Sequence, residues 1–168
     1  MVNNGKLVAH NCGIYFQDVP VDPQTGVAAA PFKLAEELGC FKIDFLPLHA
    51  LNMFESRDDM LALLEVEPDW NLLLIPSVIP TLFQLGKQAD IVGQLKPRSL
   101  LELADTLALV RPKKQYMIPY YLKDKVQCRK LLYARDETDH TSFKKAHAIA
   151  YAMIVVLQLH LTKAGIPF

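Results

Sequence analysis

At 168 residues, with 51% hydrophobic and 21% charged, the chain has enough apolar material for a core without disulfides or metals and is far from the composition of a disordered segment. Its formal net charge is zero, which excludes a uniformly basic or acidic protein, yet residues 1–70 carry eleven acids against four bases and residues 71–168 seven acids against fourteen. Opposite signs in the two halves favour binding to a charged partner, or of one half to another copy's opposite half.

Along the chain, Leu7 to Phe16 is apolar and β-prone with a bend at Asn11 to Gly13, and a turn-rich loop, DVPVDPQTG, follows. Pro31 suits the first turn of a helix, Phe32, Ala35 and Leu38 repeat at helical spacing, and Gly39 supplies the stop. Phe41, Ile43 and Phe45 then alternate with Lys42 and Asp44, the period of a strand with one covered face. Ser56 with Asp59 begins a second helix running through Met60 to Leu64. Asn71 to Ile75, closed by Pro76, is an apolar run that suits a strand covered on both faces, although periodicity alone does not separate it from a buried helix.

This order predicts an α/β fold: an N-terminal β-α-β-α-β unit with a mostly parallel sheet and right-handed crossovers. A helix-rich C-terminal half follows. There Ser99 and Glu102 form a capping box ahead of Leu100, Leu103 and Leu107, and Pro112 closes that helix. Residues 115–120 read as a strand and 121–134 as helical. From about Ser142 to Lys163 runs the longest helix, apolar all round in its middle and therefore expected to be buried. With no repeat or flexible linker in sight, residues 1–168 are expected to form a single domain.

Cys12, Cys40 and Cys128 are odd in number and widely spaced, which argues against a disulfide framework or structural zinc and fits a reducing, intracellular setting. The start of the chain has no apolar stretch that reads as an export signal. The longest apolar run, Ala148 to Leu157, is ten residues, where a membrane span needs about twenty. No membrane partner, metal or cofactor is expected.

Four constellations of side chains offer chemistry. Asp18, His49 and Ser77 fall at the carboxyl ends of the expected strands, where open α/β sheets bind ligands, and supply an acid, a base and a nucleophile. Ser77, between Pro76 and Val78, has no neighbouring glycine to shape a nucleophile elbow, and turn or cap roles explain all three equally well. The histidines His10, His49, His140, His147 and His160 lack ligand spacing; His147 and His160, thirteen residues apart on one helix, point to nearly opposite sides. Cys12 shares a strand face with His10, but a small buried thiol is the plainer reading.

The fourth constellation is the strongest. Arg111, Lys113, Lys114, Lys123, Lys125, Arg129 and Lys130 stand against the single acid Asp124, with Tyr116, Tyr120 and Tyr121 interleaved. Cations for phosphates and rings for base stacking are what single-stranded nucleic acid requires. A solvated basic face, or docking onto the acidic half of a second copy, would use the same residues. The expected function is a non-catalytic interaction protein binding nucleic-acid phosphates or an acidic protein surface, with homo-oligomerisation through its own N-terminal half as one form. A small hydrolase-like α/β enzyme using Asp18, His49 and Ser77 is the alternative.

Overall fold

The computed structural model describes residues 2–3, 6–7, 13–44, 48–134 and 143–168. The readings placed on His10, Cys12 and His140 lie outside the described residues. The chain divides into two compact units, Met1–Leu48 and His49–Phe168.

In the first unit β1 (Val2–Asn3) pairs antiparallel with β2 (Lys6–Leu7), and β3 (Gly13–Tyr15) pairs antiparallel with β4 (Lys42–Asp44). Between β3 and β4 the chain turns at Asp22, whose Oδ1 accepts the N–H groups of Gln24 and Thr25 at 2.8 and 2.9 Å. It then forms α1 (Phe32–Glu37), ended where Gly39 takes a left-handed φ of 80°. Ile14 stands opposite Ile43, and Phe16 stacks on Phe41 with ring centroids 6.1 Å apart. Period-two alternation thus gathers these four apolar side chains on one face of the sheet, and all four are exposed.

The second unit is helical. After a 3-10 turn (His49–Met53), Ser56 caps α2 (Arg57–Leu64) by accepting the Asp59 N–H, with Asp58 and Asp59 at the positive end of the helix dipole. Two further 3-10 turns (Trp70–Leu74 and Ile79–Thr81) lead to α3 (Ala89–Leu95). Then α4 (Leu100–Leu109) is capped by Ser99, which accepts the Glu102 N–H at 3.2 Å, and Glu102 Oε2 reaches back to the Arg98 N–H at 3.0 Å. A 3-10 turn (Pro112–Met117), α5 (Ile118–Lys123), α6 (Lys125–Leu132) and α7 (Lys145–Lys163) complete the unit.

Every residue from Leu103 to Val110 is buried, because α4 serves two cores. Leu103, Ala104 and Leu107 belong with Ala148, Ala152, Val155 and Leu159 of α7 and with Trp70, Leu73, Ile79 and Val92. Ala108 and Leu109 belong with Met117 of the turn before α5 and with Ile118, Tyr121, Cys128 and Leu132 of α5 and α6. Alanines at 104, 108, 148 and 152 let backbones approach, and each fully buried leucine contributes roughly 1.5–3 kcal/mol. By length and composition α7 could cross a membrane. In the folded unit it is the helix on which α4, α2 and the turns at 49–53 and 70–74 pack.

The parallel β-α-β-α-β unit expected from the sequence is therefore corrected to a helix-rich molecule in which, among the described residues, the strands pair as antiparallel two-stranded sheets. Asn71 to Ile75 is no strand. Asp69 Oδ1 accepts the Asn71 N–H at 3.0 Å and the Trp70 indole N–H donates to Glu67, which winds the run into a 3-10 turn and buries Trp70 and Leu73. Strands β3 and β4, with α1 between them, pair antiparallel, so they form no parallel crossover unit. Residues 115–120 are likewise helical, and the helix expected over 121–134 is split at Asp124, whose Oδ1 caps α6 by accepting the Val126 and Gln127 N–H groups.

Candidate nucleic-acid interface

Helical phase sorts the cations of the basic segment. In α6, Lys125, Cys128, Arg129 and Leu132 fall on the stripe directed at α4, so two of the cations are aimed at its carboxylates. Lys125 Nζ lies 2.6 Å from Glu102 Oε1, and Arg129 Nη2 lies 2.6 Å from Oδ2 of Asp105, which is fully buried. The Tyr121 hydroxyl donates to the same Oδ2 at 2.7 Å. Burial and then the Asp105 carboxylate push the Tyr121 phenol well above its ordinary pKa, and the Asp105 hydrogen bond raises that of Arg129. Tyr133 is raised in the same way by burial and the Asp105 charge; its hydroxyl and Asp105 Oδ1 are buried without a hydrogen bond of good geometry.

Lys113, Lys123 and Lys130 are exposed, Lys114 is half-buried, and the rings of Tyr116 and Tyr120 are exposed at 68% and 64%. Arg111 occupies a different setting. Its guanidinium carbon lies 4.6 Å from the ring centroid of Phe143, and its Nη2 donates to Gln84 Oε1 at 3.0 Å. Its Nε is buried without a partner. Phe143 in turn meets His147 at 5.4 Å and Tyr151 at 5.7 Å, and Tyr151 meets His147 at 4.3 Å and Phe83 edge-on at 4.9 Å. Arg111, Phe143 and Tyr151 are half-buried and His147 is exposed, so the cluster is an aromatic ledge with a cation seated on it. Lys144 and Lys145 are exposed beside it at the start of α7, whose first turn holds no acid and no side-chain cap.

Sequence reasoning named Arg111 but missed the ledge. The signal was present in FKKAHAIAY, where His147 and Tyr151 stand one turn apart on one face of α7 and Phe143 directly precedes its N-cap Lys144.

The Asp18, His49 and Ser77 constellation has lost the sheet that would have gathered it. Asp18 is exposed in the first unit, His49 opens the 3-10 turn of the second, and Ser77 lies in an exposed turn after Pro76. Among the described residues no group of three or more His, Cys, Asp or Glu is placed to hold a metal ion. Cys128 is buried against α4, and burial first, then Asp105 and Asp124, raises its thiol pKa.

No curated protein and no solved structure matches the chain. Residues 30–165 match the family model of the bacterial DNA polymerase III alpha subunit finger domain, which sets the cation-bearing second unit in a polymerase context of nucleic-acid and protein interaction. The chain belongs to that family.

Proposed function

We propose that the second unit holds a DNA strand during polymerisation, with Lys113, Lys114, Lys123 and Lys130 meeting phosphates and Tyr116, Tyr120 and the Phe143–His147–Tyr151 ledge offering faces to bases. The observation that carries this reading is Arg111 seated on the Phe143 ring, a cation fixed over an aromatic surface beside exposed lysines. A guanidinium so placed can serve a phosphate while the rings around it stack a base. The start of α7 supports the same ligand, because Lys144 and Lys145 stand at the positive end of the helix dipole, an unfavourable arrangement that an anion relieves. In this reading Lys125 and Arg129 belong to the scaffold and only the remaining cations of the segment face the strand. A bacterial DNA polymerase domain works inside the cell, which suits the intracellular expectation.

The test is binding of a fluorescent single-stranded oligonucleotide across a salt series. Four phosphate contacts on a single strand give a slope of log K against log salt of about −3. Charge reversal of Lys113, Lys114, Lys123 and Lys130 to glutamate should remove most of that slope while the helical circular dichroism stays intact. Unchanged affinity would sink the reading. The use of the same lysines to hold the acidic first unit of a second copy predicts instead a mass that falls as salt rises.

A further inference from the structure

Gln84 holds a left-handed backbone with φ at 62°, a conformation that L side chains rarely adopt. Glycine would fit there without strain, and the chain places glycine two residues on, at Gly86. The strained residue does one thing that glycine could not do: its side-chain Oε1 accepts the Nη2 hydrogen of Arg111 at 3.0 Å. The loop is fastened from behind. Gln158, 6% exposed in the middle of apolar α7, accepts the Phe83 N–H at 2.7 Å and turns its Nε2 toward the Thr81 carbonyl at 3.5 Å. A buried amide is costly unless bonded, so this side chain gains its place in the core by anchoring residues 81–83. The Arg111 guanidinium is thereby held by Gln84 at its edge and by Phe143 at its face.

We infer that Gln84 is a positioning residue: its backbone strain is retained because it aims the amide that fixes Arg111 for a phosphate of the bound strand. The inference deepens the proposed function and rests on it. A flexible arginine loses rotamer freedom when it takes up an anion, whereas one already clamped on two sides has lost it beforehand. Strain kept at a binding site for such preorganisation is a recognised pattern.

The experiment compares wild type, Gln84→Gly, Arg111→Ala and the double variant, each by thermal melting and by oligonucleotide affinity. Gln84→Gly should melt at or above the wild-type temperature, because glycine accepts the backbone, and yet bind roughly three- to tenfold more weakly, the cost of ordering one long side chain. In the Arg111→Ala background it should produce no further loss, since nothing is left to position. Gln84→Asn, which tolerates the left-handed backbone but has a shorter reach, should bind like the glycine variant. If Arg111→Ala weakens binding but Gln84→Gly does not, or if the two losses simply add, the positioning role is overturned while the interface stands. If Arg111→Ala itself binds like wild type, it is the interface that fails.

Discussion

Arg129 and Asp105 meet through two hydrogen bonds on one oxygen, Nε at 2.8 Å and Nη2 at 2.6 Å from Oδ2. The carboxylate belongs to a helix buried through its middle, and the Tyr121 hydroxyl shares the same oxygen. Removing one member of such a pair strands the other. Asp105→Asn should therefore destabilise the second unit by about 3 kcal/mol, the low end for a broken buried pair because Arg129 keeps an edge in water. Urea unfolding followed by circular dichroism measures it, and a loss within the usual surface range of about 0.5 kcal/mol would refute it.

Lys125 and Lys130 should part company when each is changed to alanine. Lys125 is paired with Glu102, but its side chain is 41% exposed, so Lys125→Ala should lower stability by no more than about 1 kcal/mol and leave oligonucleotide affinity near wild type. Lys130→Ala should leave stability unchanged and reduce both affinity and salt slope, the slope by about 0.7 for one phosphate contact on a single strand.

Acid should weaken the α4–α6 tie. Burial pushes the Glu102 carboxyl up, but the Lys125 hydrogen bond and the Arg98 N–H, aided by the Lys125 and Arg129 charges, outweigh it and hold the group below its ordinary value of 4.5. A carboxyl depressed on folding adds stability above its unfolded pKa, and that stability is lost as pH falls through the folded one. The difference between wild type and Glu102→Gln in urea midpoint should be largest at neutral pH and should shrink as pH falls below the ordinary carboxylate range. A difference that does not change with pH would contradict the pairing.

Thiol labelling should separate two cysteines. Cys128 is buried and its thiolate is disfavoured by burial and by Asp105 and Asp124, whereas Cys40 is half-exposed. Iodoacetamide followed by peptide mass mapping should find Cys40 modified in the native protein and Cys128 modified only after denaturant is added. Equal labelling of both would show that the α5–α6 core opens readily.

Local signals were legible in the sequence where a backbone group is satisfied by a neighbour in the chain. Ser56 with Asp59 and Ser99 with Glu102 marked their helix starts, and Gly39 marked an end. The alternation at Phe41 to Ile43 gave β4 its correct identity. The partner of a strand is a different matter: β3 and β4 are separated by a long connection that contains α1, and alternation of elements suggested a crossover where the chain instead returns antiparallel. The apolar run at 71–75 has no period, so its 3-10 winding depends on the Asp69 and Glu67 acceptors that precede it. At the interface, lysine density was visible but its division was not. Arg129 and Lys125 are removed from it by carboxylates twenty or more residues upstream, and Arg111 gains its aromatic ledge from Phe143 and the helix that follows it, more than thirty residues downstream.

The slot that α7 fills has an implication for biosynthesis. Leu103 and Leu107 emerge from the ribosome well before Ala152, Val155 and Leu159, the side chains that will cover them. A nascent chain that has reached only α6 presents a greasy trough to the cytosol, the sort of surface that holdase chaperones clasp and that neighbouring nascent chains stick to. That trough closes only when α7 has left the exit tunnel and finds helix instead of bilayer to lie against.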